Sequence, residues 1–372
     1  MSYGGLPPPA TVSTSSKQVN LERETELRIE VSHTPLKLRL VKGTAEIFGS
    51  ELPPGTWLTL PPRHKFAVFT SNGATIETDG VTETDYTADE TPMVSYLNVH
   101  AILNARRPKE AWKPTFVDLD VSQGSVSIPG SVAATPIETP LDPVEGFPLD
   151  MPLVYYYGHT KPGANVELYK ATVKELAGVL ERQFLGNPES RAAGMVISTP
   201  WDGSIEKLYS KLKHVLRSKN NVDVVKLQKS GGVVAKNSEF RKLARSCRIR
   251  EYFYGPSKEL SPYATNTSSF GDVKVFRIGG GPQAPRSALP IGSDPVSDPL
   301  KVTPVSIDER DLLHSVLAVS YAQEPDQIVS SSVSGFVYVT EVNVQRKTLT
   351  YIAQSQRTLP SKFLVAGSFV MA

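Results

Sequence analysis

Residues Thr115–Gly130 read TFVDLDVSQGSVSIPG, and this stretch decides how the middle of the chain folds. Thr115–Asp120 is a short apolar run carrying carboxylates, the form of a buried strand in an α/β sheet. In phosphate-binding α/β folds such a strand follows a glycine-rich loop, G-x-x-x-x-G-K-[ST], and the helix which that loop opens. It then supplies carboxylates near the metal and the phosphates. The sixteen residues before Thr115, VHAILNARRPKEAWKP, contain no glycine, and the dipeptide Gly-Lys occurs nowhere in the chain. The strand is there, and the loop expected ahead of it is not.

Upstream, residues 17–90 read as short alternating strands. ELRIEVS puts Leu27, Ile29 and Val31 on one face, with Arg28 and Glu30 on the other, and LKLRLV repeats the pattern with Leu36, Leu38 and Leu40. TAEIFG, WLTL, KFAVFT and ATIET follow, separated by Gly, Pro, Asn and Asp turns. That spacing predicts a small antiparallel sandwich or barrel. Thr91-Pro92 then offers an N-cap followed by proline at the first helical position. Met93, Leu97, Ala101 and Leu103 are expected along one side of a helix that ends near Arg106-Arg107.

Downstream the period changes. Leu153–Tyr157, AGMVIS (193–198) and VDVVKL (222–227) are expected to be buried strands. Leu168, Val173, Leu176, Leu180 and Phe184 mark one helix, and Ile205, Leu208, Leu212 and Leu216 another. Strand and helix in alternation predict an α/β domain with a mainly parallel sheet. After about residue 255 the chain turns β-rich, with VKVFRI, TPVSI, the hairpin GFVYVTEVNVQRKTLTYIAQS and FLVAGSF around one helical segment, DLLHSVLAVSYA. The expectation is a multidomain α/β protein. It has a disordered tail (1–16), an antiparallel β-sandwich (17–98), a central α/β domain (99–255) and a small mixed α/β C-terminal domain (256–372).

Charge is balanced overall, with 40 basic and 38 acidic residues, but unevenly placed. Pro114–Thr160 has six acids and no Lys or Arg, whereas Ile205–Arg250 has thirteen basic residues against three acids. The basic stretch predicts an anionic partner such as RNA, with a solvated basic helix pair as the plainer alternative. No run approaches the roughly 18 apolar residues of a membrane span. The start, MSYGGLPPPATVSTSSKQ, lacks the apolar core of a secretory signal. One cysteine, Cys247, allows no internal disulfide framework, and none of the six histidines has a metal-ligand spacing.

LERETELRIEV, TAEIFGSEL, KFAVFT, TPMVSYLNVH, PTFVDLDVSQGSVSIPG, KSGGVV, RIREYFYG and SSVSGFVYVT, in this order, closely resemble the eukaryotic Clp-one family. This is the polyribonucleotide 5′-hydroxyl-kinase family that includes the kinase-like subunit of pre-mRNA cleavage factor II. The resemblance covers nearly all of the chain after the tail. It implies a β domain, a P-loop polynucleotide-kinase domain and a small C-terminal domain. Some members phosphorylate RNA 5′-hydroxyls, and others bind ATP without turnover and act as scaffolds in mRNA 3′-end formation. The resemblance further implies that Glu26 and Lys65 hold the adenosine end of the nucleotide, while Asp120 and Gln123 face metal and attacking hydroxyl. Ser122 stands where the family has glycine. Arg241, Arg245, Arg248 and Arg250 fall in a lid-like helix, where the spacing puts the first three on one face suited to phosphate oxygens. Alone, Glu26 would be an outward-facing strand carboxylate and Asp120 a polar residue at a strand end.

The departures weigh as much as the likeness. The family's phosphate loop should fall between the Met93–Arg107 helix and Thr115, where Arg107–Lys113 leaves room for a linker only. The nearest look-alike, GHTKPGAN at Gly158–Asn165, has the glycine spacing but Ala-Asn in place of Lys-Ser/Thr. A second family segment is missing after ISTPWDG. Alternative splicing, gene-model error and divergence of a paralogue remain open as causes. Without the loop's backbone donors, its Lys and its Mg²⁺-holding hydroxyl, the kinase reaction is expected to be lost and ATP and Mg²⁺ to bind weakly if at all. The expected role is a nuclear, kinase-inactive scaffold that assembles with other mRNA 3′-end processing factors, with RNA as a further partner and no membrane. The rival readings are an RNA 5′-hydroxyl kinase, for the full-length form, and a non-functional splice product.

Overall fold

A computed structural model describes residues 16–105, 113–138, 152–200, 227–228, 230–232, 238–255, 263–279, 298–308, 312–354 and 359–370. The chain divides into two compact units. One comprises residues 1–107, 142–145 and 219–234, and the other holds the remaining chain.

In the first unit the alternating segments become β1 (Ser16–Leu21), β2 (Thr25–Val31), β3 (Leu36–Gly43), β4 (Glu46–Ile47), β5 (Ser50–Glu51), β6 (Leu58–Leu60), β7 (Lys65–Thr70), β8 (Ala74–Asp79) and β9 (Thr82–Ala88). They form two antiparallel sheets, ordered β1-β8-β3-β6 and β5-β4-β7-β2-β9. Leu27, Ile29 and Val31 of β2 share one core with Leu36, Leu38 and Leu40 of β3 and Ile76 of β8. Period-2 apolar residues from both sheets thus fill the interior of a sandwich. Helix α1 (Met93–Ala105) follows, its first turn capped by the Thr91 hydroxyl, which accepts the Met93 N–H at 3.2 Å. The apolar side expected of α1 is only partly covered. Met93 and Leu97 are half-buried and Ala101 is exposed, while the Leu103 side chain falls outside the described residues.

The second unit contains β10 (Thr115–Asp118), β11 (Ser131–Pro136), β12 (Leu153–Tyr156), helices α2 (Val166–Gly186) and α3 (Pro188–Ala193), β13 (Met195–Ser198) and α4 (Ser238–Tyr254). It continues with β14 (Tyr263–Ser269), β15 (Lys274–Ile278), β16 (Val302–Val305), β17 (Ser315–Ser320), β18 (Val333–Asn343), β19 (Thr348–Ala353) and β20 (Phe363–Val370). The central sheet is mixed and ordered β12-β11-β10-β13. The parallel step is β10 to β13, with Val117 opposite Ile197, and β11 pairs antiparallel with both β10 and β12. Strand β11, SVAATP, was hidden by its small residues, yet all but its last residue are buried. The helix expected at 205–216 and nearly all of the strand at 222–227 fall outside the described residues.

Helix α2 buries Leu168, Leu176 and Leu180, with Val173 and Phe184 half-buried. Thr172 is buried as well, its hydroxyl donating to the Leu168 carbonyl at 2.7 Å. Two expectations are corrected. AGMVIS does form a strand, but β13 is the last strand among those described in its sheet and is not buried: Met195, Val196 and Ile197 are 43%, 52% and 50% exposed. DLLHSVLAVSYA does not form the expected helix along its length, because Ser315–Ser320 is β17, with all six residues buried. A continuous apolar run fits a strand covered on both faces as well as it fits a helix, and period alone cannot separate them. Strand β17 lies at the centre of a seven-stranded sheet ordered β14-β19-β18-β17-β20-β15-β16, in which the step from β15 to β20 is parallel. Aromatic side chains join this sheet to the central one. Tyr156 of β12 and Tyr252 of α4 each meet the Phe336 ring of β18 edge-on at 5.5 Å.

Candidate functional site

Glu26, Arg28 and Glu30 alternate with the core residues of β2 and so share its outer face. Glu26 points outward as expected but is no surface carboxylate, being only 2% exposed. Arg28 Nε donates to its Oε1 at 2.5 Å and the Thr91 hydroxyl to its Oε2 at 2.7 Å. Arg28 also donates through Nη2 to Glu90 Oε1 at 2.6 Å and to the Glu90 carbonyl at 3.0 Å. Burial works against the Arg28 charge, yet bonds to Glu90, Tyr86 and Glu26 outweigh it and hold its pKa above the ordinary value. The same bond holds the Glu90 carboxyl below its usual range. Glu90 Oε1 also accepts the Gly231 N–H at 3.0 Å, and Tyr96 donates to the Gln228 carbonyl at 2.6 Å. The glycines of KSGGVV therefore lie against β2, where a Cβ at Gly232 would sit 2.9 Å from Arg28 Cδ. Lys65 faces Glu30 across the β2–β7 ladder and pairs with its Oε1 at 2.7 Å. Beside this pair is a recess of about 410 Å³, lined by Arg28, Phe48, Lys65 and Tyr86 among others. Phe48 and Tyr86 offer exposed rings to it, a lining suited to a flat apolar group.

In the second unit, β10 ends in a turn built on carboxylates. Asp118 is buried; its Oδ1 accepts the Asp120 N–H at 3.0 Å and its Oδ2 the Ser125 N–H at 2.8 Å. Burial nevertheless pushes the Asp118 carboxyl above its ordinary pKa, against the pull of those two donors. Asp120 Oδ1 in turn accepts the Ser122 N–H at 2.9 Å, and Gln123 is exposed. Gly124 closes the turn at φ +71°, where a Cβ would come within 2.6 Å of Pro129 N. Tyr169 of α2 donates to the Leu119 carbonyl at 3.0 Å, and burial, aided by the Asp120 charge, raises its phenol to about 12.

The arginines of α4 divide. Arg248 donates through Nε to the Gly124 carbonyl at 2.9 Å and through Nη2 to the Ser125 carbonyl at 2.6 Å, and its Nη1 lies 3.2 Å from Glu251 Oε2. Arg241 and Arg250 are exposed and Arg245 half-buried. The structure thus gathers Asp120, Gln123 and Arg248 at one turn, while Glu26 and Lys65 belong to the other unit. Sequence reasoning passed over Arg28, Asp118 and Tyr169. Of these, Asp118 was within reach, because it shares the quoted run with Asp120. Among the described residues no three or more His, Cys, Asp or Glu gather as a metal site, and no helix is long and apolar enough to cross a membrane. Both oxygens of Asp118 are taken by backbone amides. Among the described residues, Asp118 is thus committed to the turn's own backbone rather than open to a metal ion.

Three family models match along the chain. Residues 20–110 match the N-terminal beta-sandwich domain of polyadenylation factor. Residues 98–204 and 201–255 match the P-loop of the mRNA cleavage and polyadenylation factor CLP1, and 260–370 match pre-mRNA cleavage complex II protein Clp1. The architecture is that of an mRNA cleavage and polyadenylation factor. The chain belongs to the Clp1 family. It is 64% identical to the protein CLP1 homolog of Arabidopsis thaliana, over 99% of this chain and 98% of that one. It is 37% identical to the polyribonucleotide 5′-hydroxyl-kinase Clp1 of Homo sapiens, over 93% and 94%. The Arabidopsis alignment runs over 438 positions against 372 residues here, so at least 66 positions of that relative have no counterpart. Among solved structures, a Clp1p–Pcf11p complex that addresses ATP loss in a point mutant has the same fold. Its TM-score is 0.80 at 21% identity, over 96% of this chain and 99% of that one.

Proposed function

We propose that the protein is a nuclear scaffold of the pre-mRNA cleavage factor II type, required for mRNA 3′-end formation, and that it transfers no phosphate. One observation carries this reading: family likeness over essentially the full chain, combined with the absence of Gly-Lys anywhere in the sequence. Phosphoryl transfer depends on positioning and on a preorganised positive field at the β- and γ-phosphates, and those donors are what this chain lacks. Binding surfaces carried by the outer domains, 17–98 and 256–372, do not depend on that loop. The partner to expect is a Pcf11-type 3′-end processing factor, as in the solved relative. The recess beside Lys65 can receive an adenine ring, but contacts there act equally in ground and transition state and do not speed the chemical step. Glu26, committed to Arg28 and Thr91, serves that recess by holding Arg28 in place.

The test joins two measurements on the full chain. Labelled γ-phosphate should not pass from ATP to a 5′-hydroxyl oligoribonucleotide above background, with a polyribonucleotide 5′-hydroxyl-kinase relative as positive control. In the same preparation, a Pcf11-type partner should be retained by the immobilised protein. Phosphorylation abolished by Asp120→Ala would overturn the inactive reading, and failure to retain the partner would overturn the scaffold.

A further inference from the structure

The stretch GHTKPGAN (158–165) has the glycine spacing of a phosphate loop, and it joins β12 to α2, strand to helix, as such a loop does. Its helix end is already occupied: the Asn165 side chain accepts the Leu168 N–H at 3.0 Å, and the Tyr157 hydroxyl accepts the Asn165 N–H at 3.0 Å. Its other end meets the C-terminal sheet, where the Gly158 carbonyl accepts the Ser368 N–H at 2.8 Å and the Ser368 hydroxyl at 3.0 Å. Here lies a recess of about 310 Å³, lined by Tyr156, Tyr157, His159, Arg277 and Ser368 among others, all of the second unit. The lining holds two basic side chains and no carboxylate. The Arg277 carbonyl accepts the Thr303 hydroxyl at 3.2 Å, but its half-buried guanidinium has no hydrogen-bond or ion-pair partner among the described residues. Nor has the half-buried His159 imidazole, which meets the Tyr157 ring edge-on at 5.2 Å and is held below its ordinary pKa by burial. Arg28 and Arg248, by contrast, each bond two or more oxygens of the chain.

We propose that this recess binds a phosphate group, free or as a monoester, between Arg277 and His159. A guanidinium withdrawn from water without a partner is a charge left to be matched, and its planar fork fits the oxygens of phosphate. A carboxylate also fits the fork, but it lies flat in that plane with both oxygens turned to the arginine. A tetrahedral phosphate presents further oxygens out of the plane, which the imidazole can reach as donor. Asp118, Asp120 and Arg248 are not among the lining residues, so this site is not the carboxylate turn at the end of β10. Its occupancy is independent of whether the chain transfers phosphate.

The experiment titrates the full chain with inorganic phosphate and with glycerol 3-phosphate, ionic strength being held constant with chloride. Phosphate should raise the melting temperature and bind with a Kd of about 1 mM, and Arg277→Gln should weaken it by about tenfold or more. Because an adjoining anion favours the imidazolium, the His159 ring resonances should titrate at higher pH with phosphate than without it. Tyr156, Tyr157 and Arg277 are the other ionisable groups of the lining, and none of them changes charge near neutral pH. Tighter binding of glycerol 3-phosphate than of phosphate supports a monoester as the ligand, and equal binding supports phosphate itself. Thermal melting checks that Arg277→Gln is folded, and the wild-type His159 titration decides the matter if it is not. Absence of binding at about tenfold above that concentration, binding indifferent to Arg277→Gln, or a His159 titration that phosphate leaves in place overturns the proposal.

Discussion

Thr91 donates its hydroxyl hydrogen to Glu26 Oε2 at 2.7 Å, and Thr91 Oγ1 itself accepts the Met93 N–H that opens α1. One oxygen therefore serves both as a helix cap and as support for a buried ion pair. Loss of a buried pair's partner typically costs about 3–5 kcal/mol, and loss of a threonine cap about 1 kcal/mol. Glu26→Ala should lower stability by about 3 kcal/mol, because Arg28 keeps Glu90. Thr91→Val should cost about 1–2 kcal/mol, and the double variant less than the sum, since the two share a bond. Denaturant titration of the four proteins measures this coupling.

Arg248 holds the β10 turn through two carbonyls, Gly124 and Ser125. Hydrogen bonds from a charged donor are worth about 1.5–3 kcal/mol each, less where water competes. Arg248→Ala should therefore destabilise by about 2–3 kcal/mol, and Arg248→Lys should recover little, because a point charge cannot reproduce the fork. Thermal unfolding of the three proteins decides it. Equal stability of the alanine variant would mean that α4 is held by Ile249 and Phe253 alone.

The Tyr156 hydroxyl is fully buried and has no hydrogen-bond partner. It rests against Gly367, where an added Cβ would overlap it and also lie 2.7 Å from the Gly158 carbonyl. Gly367→Ala should cost about 1–3 kcal/mol by overpacking. Tyr156→Phe should be neutral or stabilising, since no bond is lost, and should relieve part of the Gly367→Ala defect. Melting temperatures of the single and double variants test the pairing.

Glu46 Oε1 is buried without a partner, and burial, reinforced by the Glu51 charge, raises the Glu46 pKa while His100 pulls it down. A carboxyl with a raised folded-state pKa contributes stability that is present below its unfolded value and lost as pH rises through the folded one. Glu46→Gln should therefore stabilise the protein at neutral pH, with the gap over wild type closing on acidification. Denaturation midpoints at neutral and mildly acidic pH would show it, and a gap independent of pH would rule out titration of Glu46 as its source.

How far the sequence could be read depended on what each segment packs against. The sandwich was legible because each strand buries one face, so Leu27, Ile29 and Val31 announce themselves by alternation. Strand β17 was not, because a strand covered on both faces loses its alternation and imitates a helix. Strand β11 escaped because Ala133 and Ala134 carry no bulk, and the exposure of β13 followed from its place at the end of the described sheet. At the candidate site, Asp120 and Arg248 were expected from family likeness alone, and the bonds joining α4 to the β10 turn connect residues 123 and 124 positions apart, which no local pattern encodes. Nothing in β2 alone distinguishes Glu26 from a solvated carboxylate. Its burial depends on Arg28, on Thr91 and on the fold that brings them together.

Strand β20 is made after every other strand of its seven-stranded sheet, yet it lies inside that sheet, between β17 and β15. During translation the sandwich strands emerge early and can close on one another while the ribosome is still at work. The C-terminal sheet has no such option, because β15 and β17 each have an empty flank until residues 363–370 have been made. Each must wait with one flank unpaired, β15 while β16 to β19 are made and β17 while β18 and β19 are made, and strands waiting in this way are what chaperones hold. A stop codon or frameshift that removes only this last strand would split the sheet in two rather than trim its edge.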